Sequence, residues 1–250
     1  MRKAFHILFA LWLIFLWVGC ATSRVDVQAR VRALEDLGAS YYRQGDIRLA
    51  LEKLLEAERL DPRNADIHNQ LGLAYRDLRE YGLSLDHFQR ALDLKQEFPE
   101  AQNNLGTLYY YLKEWDQAIA CFKKAADDIL YMTPHFAYYN MGQAYYNKGE
   151  YQKAIECYQE ALGLSPGYVP CYDELALTYQ VLDKLDLAIE TYKKSISMVP
   201  DYPVSRLNLA KLYLRLDRKE EAAEELKMTM EIDPDGRYGN EAKALMKSME

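Results

Sequence analysis

The side chains equipped for chemistry are few in kind. Four cysteines occur, Cys20, Cys121, Cys157 and Cys171, with four histidines, His6, His68, His87 and His135. A structural zinc site needs such residues at close, repeated spacing. No CxxC pair is present and the histidines are scattered, so neither a metal nor any other cofactor is expected. His68 falls in a position that faces the core, where a packing role is expected. Cys157 and Cys171 sit on consecutive helical segments; a disulfide in an oxidising compartment is an open alternative to two small packing residues. Carboxylate pairs such as Glu220-Glu221 and Glu224-Glu225 have the pattern of solvated helix faces. No nucleophile elbow and no phosphate-cradling glycine loop appears. The residues point to binding, and no enzyme activity is expected.

The elements that carry these residues are legible from His135 to Tyr168. In the first segment Tyr138, Met141, Gly142 and Tyr145 recur at steps of three and four; after Lys148-Gly149-Glu150, Tyr151, Ala154, Tyr158 and Ala161 do the same. That is one face of a 3.6-residue helix, twice over. Gly142 and Ala154 would let the two helices approach, with Tyr145 filling the gap beside them, and Pro166 ends the pair. The unit repeats. Gly38, Gly72, Gly106, Gly142, Ala176 and Ala210 occupy one slot, and three residues later come Tyr41, Tyr75, Tyr109, Tyr145, Tyr179 and Tyr213. A small residue follows at Ala50, Ser84, Ala118, Ala154, Ala188 and Ala222, and closing prolines stand at Pro62, Pro166, Pro200 and Pro234. A hairpin this short leaves apolar surface bare and needs a neighbour on each side.

Period and pattern together resemble the tetratricopeptide repeat. The resemblance covers 31–236 and implies an all-α, right-handed superhelical solenoid of six helix-turn-helix repeats (31–64, 65–98, 99–134, 135–168, 169–202, 203–236). A C-terminal capping helix over 237–250 would use Tyr238, Ala242, Leu245 and Met246 to cover the last face. The third repeat is two residues longer, through Asp127 to Pro134, which an extended helix or an elaborated loop would absorb. The residues outside the repeats are too few for a catalytic domain.

In this family the first helix of each unit lines a groove. Carried over by position, the central slots hold Asn103, Thr107, Tyr110 and Tyr111 in repeat three, and Phe136, Tyr139, Gln143, Tyr146 and Asn147 in repeat four. Asn104 and Asn140 fit in part the asparagine slots of relatives that clamp a terminal carboxylate. The basic residues of that clamp are replaced by Asn103, Phe136 and Asn140, so it is absent. Asp173 and Leu207 fill the corresponding slots of repeats five and six. Tyrosine with asparagine suits a bound polypeptide: the ring supplies area at low entropy cost and the amide bonds backbone. Inter-repeat packing is the competing role for Tyr110 and Tyr139. The formal net charge of −7 argues against nucleic acid, where neutralising phosphate dominates affinity.

The chain opens MRKAFHILFALWLIFLWVGC: a positive start, an apolar run, then Gly19-Cys20. This reads as a secretory signal over 1–19. Val18-Gly19-Cys20 resembles a bacterial lipobox, which implies a lipidated Cys20 and a short linker over 20–30; Trp17 departs from the usual aliphatic choice. Ala21 after the cysteine implies the outer membrane, with the repeats facing the periplasm. The alternative is a single uncleaved anchor in the inner membrane, since Ala4 to Thr22 is about long enough to span a bilayer. A lipobox followed by such repeats resembles the type IV pilus pilotin lipoproteins. That resemblance implies an adaptor with a protein partner, a secretin or another pilus-assembly protein, attached to the membrane through its lipid. A general periplasmic scaffold recruiting an envelope protease or cell-wall enzyme is the alternative.

Overall fold

The computed structural model describes residues 26–249, and Cys20, the signal segment and most of the expected linker lie outside them. The last linker residues, 26–30, are already helical, as the start of α1 (26–44). Thirteen helices and no strand occur among the described residues. After α1 come α2 (Ile47–Leu60), α3 (Ala65–Asp77), α4 (Tyr81–Leu94), α5 (Pro99–Tyr111), α6 (Trp115–Ala126) and α7 (Pro134–Lys148). The remainder are α8 (Tyr151–Leu164), α9 (Val169–Val181), α10 (Leu185–Met198), α11 (Pro203–Arg215), α12 (Lys219–Ile232) and α13 (Arg237–Lys247). The chain divides into two compact units, one ending at Leu108 and one beginning at Tyr109.

Local chemistry sets the helix starts. Proline stands in the first turn of α7, α9 and α11, where its missing N–H would have had no partner anyway. Asn64 caps α3, its side chain accepting from the N–H groups of Asp66 and Ile67 at 2.9 and 3.2 Å. The two helices of each repeat are joined by one residue in the left-handed region. Gly149 takes it at φ 83°, but Arg79, Lys113, Asp183 and Asp217 take it with a side chain, at φ 56–63°, a conformation that costs an L-residue roughly 1 kcal/mol.

In the first unit α3 packs on α2 and α4, and Leu54, Ala57, Ile67 and Leu71 form a core closed by Val31. Ser84, fully buried on α4, donates to the carbonyl of Gly72 at 2.7 Å. In the second unit consecutive helices from α6 to α13 pack in turn. The main core joins Tyr158, Tyr192, Leu209, Leu212 and Tyr213 with small residues between them. The ring beside Gly142 is that of Tyr158, not Tyr145. A Cβ at Gly142 would lie 2.5 Å from the Tyr158 ring, and one at Gly72 2.6 Å from Phe88. Tyr158 reaches across from the second helix of the hairpin, whereas Tyr145 packs half-buried against the core, with the Lys153 ammonium 5.3 Å from its ring centroid.

The extra length of the third repeat forms an elaborated link between α6 and α7. Tyr131 turns inward against Ala125 and Ala137, while Ile129 and Met132 are 97% and 87% exposed. Helix α13 caps the second unit: Ala242, Tyr238, Leu245 and Met246 cover Leu207, Ala210 and Leu226, as the sequence predicts. No helix among the described residues is long and apolar enough to cross a membrane.

Candidate protein-binding site

Three expected groove residues belong to the first unit and lie half-buried on α5. Asn104 donates through its amide to the side-chain oxygen of Asn69 at 3.0 Å, so one repeat ties to the next through an asparagine pair. Thr107 turns its hydroxyl back to the carbonyl of Asn103 at 3.1 Å. Asn103 sits one helical turn before it.

The second unit holds the rest, and it brings most of them together. Asn147 donates to the Tyr110 hydroxyl at 2.9 Å and also to the Gln143 carbonyl. Gln143 donates to the Tyr139 hydroxyl at 3.0 Å. Tyr110 stands edge-on to Tyr111 and to Trp115, with centroids 6.3 and 5.2 Å apart. Phe136 and Tyr139 both meet the Tyr168 ring edge-on, at 5.3 and 5.1 Å, in the preferred geometry for aromatic pairs. Tyr146 packs likewise on Tyr151 at 5.3 Å. Asn140 lies half-buried between these turns on α7. The basin is therefore pre-organised by its own hydrogen bonds and ring contacts. It still exposes Tyr111 and Phe136, at 57% and 38%.

Glu174 and Tyr168 complete this basin, and slot-by-slot reading of the sequence passes over both. Burial raises the Glu174 carboxyl above its ordinary range, against a hydrogen bond from Gln143 that lowers it. Its negative charge in turn helps raise the phenols of Tyr110, Tyr139, Tyr146 and Tyr168, whose shifts come first from burial. The arrangement is a carboxylate that bonds the Gln143 amide and acts electrostatically on four surrounding tyrosines. Such a surface can bind a cationic side chain through the carboxylate and the ring faces together, and an extended backbone through the amides.

Two expected groove positions are not in a groove. Asp173 and Leu207 are buried, at 5% and 2% exposure. They occupy the same slot in successive repeats, and that slot leans into the next hairpin. Asp173 accepts from Ser205 at 2.6 Å, and Ser205 pairs with Ser195 at 2.6 Å. The other Asp173 oxygen, Oδ2, has no hydrogen-bond partner among the described residues. Burial pushes this carboxyl up to about 7, the Ser205 bond opposing and the Glu174 charge assisting.

The cysteines Cys121, Cys157 and Cys171 are all buried, and Cys157 and Cys171 are not bridged to each other. Cys171 spends its thiol on the Tyr158 carbonyl at 3.4 Å, and burial raises the Cys157 thiol to about 12; both are packing residues with little thiolate character. His68 is buried as expected, but it has company the sequence hides: its Nδ1 lies 3.0 Å from Nδ1 of His87, with Glu58 at 3.6 Å.

Family models of the tetratricopeptide repeat match 38–78, 63–127, 135–168 and 182–247. No curated protein matches the chain. Among solved structures, PilW, a widely conserved type IV pilus biogenesis factor, is 25% identical with a TM-score of 0.77, over 86% of this chain and 98% of that one. PilF of Pseudomonas aeruginosa is 21% identical with a TM-score of 0.73, over 88% and 99%. YrrB, a repeat protein with an unusual peptide-binding site, is 19% identical with a TM-score of 0.56, over 76% and 97%. The likeness to PilF and YrrB is one of fold.

Proposed function

The chain is a tetratricopeptide-repeat protein that resembles type IV pilus biogenesis factors, and from that premise we propose that it is a non-enzymatic adaptor of the bacterial envelope. In this reading Cys20 is the first residue of the mature protein. Its acyl chains hold the repeats at the periplasmic face of the outer membrane; each buried methylene contributes roughly 0.8 kcal/mol and more than one chain is needed for stable attachment. The partner is a pilus-assembly protein, with the secretin as the specific expectation. The likeness to PilW over nearly the full length of both chains is the observation that carries this reading.

The tyrosine basin of the second unit supports the mode of binding. It receives a partner segment bearing a lysine or arginine, which settles against Glu174 and the faces of Tyr139, Tyr146 and Tyr168. Aromatic anchors around a desolvated charge are where interface energy concentrates. The acidic balance of the chain, −7 formally, favours encounter with a basic segment. The test is genetic and biochemical. Deleting the gene strips assembled secretin multimers from the outer membrane, with loss of pili. Normal multimers and normal pili in the deletion strain reject the assignment.

A further inference from the structure

Glu58, His68 and His87 come from three successive helices of the first unit, α2, α3 and α4. One ligand atom from each lies within 4.8 Å of the others. His68 Nδ1 is 3.0 Å from His87 Nδ1 and 3.6 Å from a Glu58 oxygen. The far side of the His68 ring fixes its tautomer. Its Nε2 lies 3.1 Å from the Pro62 carbonyl, which can only accept, so Nε2 carries the proton and the Nδ1 lone pair faces His87 and Glu58. A ligating histidine typically donates its other N–H to a carbonyl in this way. Tyr75 stacks on His87, with centroids 5.3 Å apart and planes 18° apart, and fixes the second ring.

We propose that these three side chains form a binding site for a divalent cation of the zinc class. Four-coordinate zinc holds nitrogen and oxygen at about 2.0–2.2 Å. Two ligand atoms at a tetrahedral angle then stand about 3.4 Å apart, and the observed 3.0 and 3.6 Å bracket that spacing. Two imidazoles and a carboxylate suit zinc, nickel or copper over magnesium or calcium. His87 meets the cation as the Nε2–H tautomer. The fourth position is left for water. A bound cation clamps α2, α3 and α4 together and stiffens the first unit.

The test uses the full chain in mild detergent, with zinc alone as the probe. Competition against a chromophoric chelator near pH 7 gives one tight zinc per chain. Glu58→Gln weakens it at least tenfold, His87→Asn abolishes it, and His135→Asn leaves it unchanged. The cobalt(II) derivative shows d–d bands without thiolate charge transfer, which separates this site from the cysteines. Saturating zinc raises the melting temperature of the parent and of His135→Asn but not of His87→Asn. The proposal is overturned if the parent binds no zinc, if His87→Asn binds it as the parent does, or if the cobalt spectrum carries a thiolate band. In any of these cases the two histidines are simply a part-buried hydrogen-bonded pair.

Discussion

Asp173→Asn should make the protein more stable at pH 8 and leave it little changed at pH 4. The Asp173 carboxyl is 5% exposed and accepts one hydrogen bond, from Ser205 at 2.6 Å, while Oδ2 has none. Among the described residues no cation compensates the buried charge, and Glu174 adds repulsion. Burial therefore raises the folded pKa from 3.8 to about 7. Between those values the folded state keeps a proton that the unfolded chain has released. Unfolding free energy then falls as pH rises, since the native state binds more protons. The stability is fully present below about pH 4 and is lost as pH climbs through about 7. One pKa unit is worth 1.36 kcal/mol, so the span corresponds to about 4 kcal/mol from this one carboxyl. Asparagine mimics the protonated acid: its Oδ1 still accepts from Ser205, and its amide replaces the carboxyl O–H. Urea unfolding followed by circular dichroism at pH 4, 6 and 8 measures the effect. The parent loses stability across the series, and the variant loses less, by up to that amount. Equal slopes for the two proteins, or a variant less stable at pH 8, would refute the reasoning.

Three other outcomes follow from the packing. Gly142→Ala should destabilise by about 1–3 kcal/mol in thermal melts, because the new Cβ would meet the fully buried Tyr158 ring at 2.5 Å, outweighing a helix-propensity gain of about 1 kcal/mol. Tyr158→Phe should leave stability unchanged or raise it by about 1 kcal/mol, since the Tyr158 hydroxyl is buried with no hydrogen-bond partner among the described residues; a loss above 2 kcal/mol in urea titration would contradict this. Tyr139→Ala combined with Tyr146→Ala should abolish partner capture with far-UV dichroism intact, while partner capture unaffected by the pair would remove the basin from the account.

The repeats were legible because their information is periodic. Six tyrosines in phase and small residues at fixed offsets reflect one packing problem solved six times, and the cap over 237–247 could be read from the apolar stripe that closes it. What stayed hidden depends on how one hairpin meets the next. His68 and His87 are 19 residues apart, a separation with no motif; only the pairing of α3 with α4 joins them. Tyr145 and Tyr158 are both in apolar phase, and period alone cannot say which ring crosses the hairpin to Gly142. Asp173 is polar in a nominal groove slot, yet Ser205 of the following repeat, itself paired with Ser195 of Asp173's own repeat, draws it inside. Glu174, one residue on, lies outside the slots but inside the tyrosine ring. Arg79, Lys113, Asp183 and Asp217 occupy left-handed turns that a sequence reader would assign to glycine.

The most direct measurement places a photoreactive phenylalanine derivative at position 146, on the basin, or at position 156, an exposed position on α8. Irradiated cells are then examined for the cross-linked partner. An adduct with a pilus-assembly protein from position 146, absent from position 156, is the predicted result. Adducts from position 156 alone would show that the partner engages another face and would contradict the account.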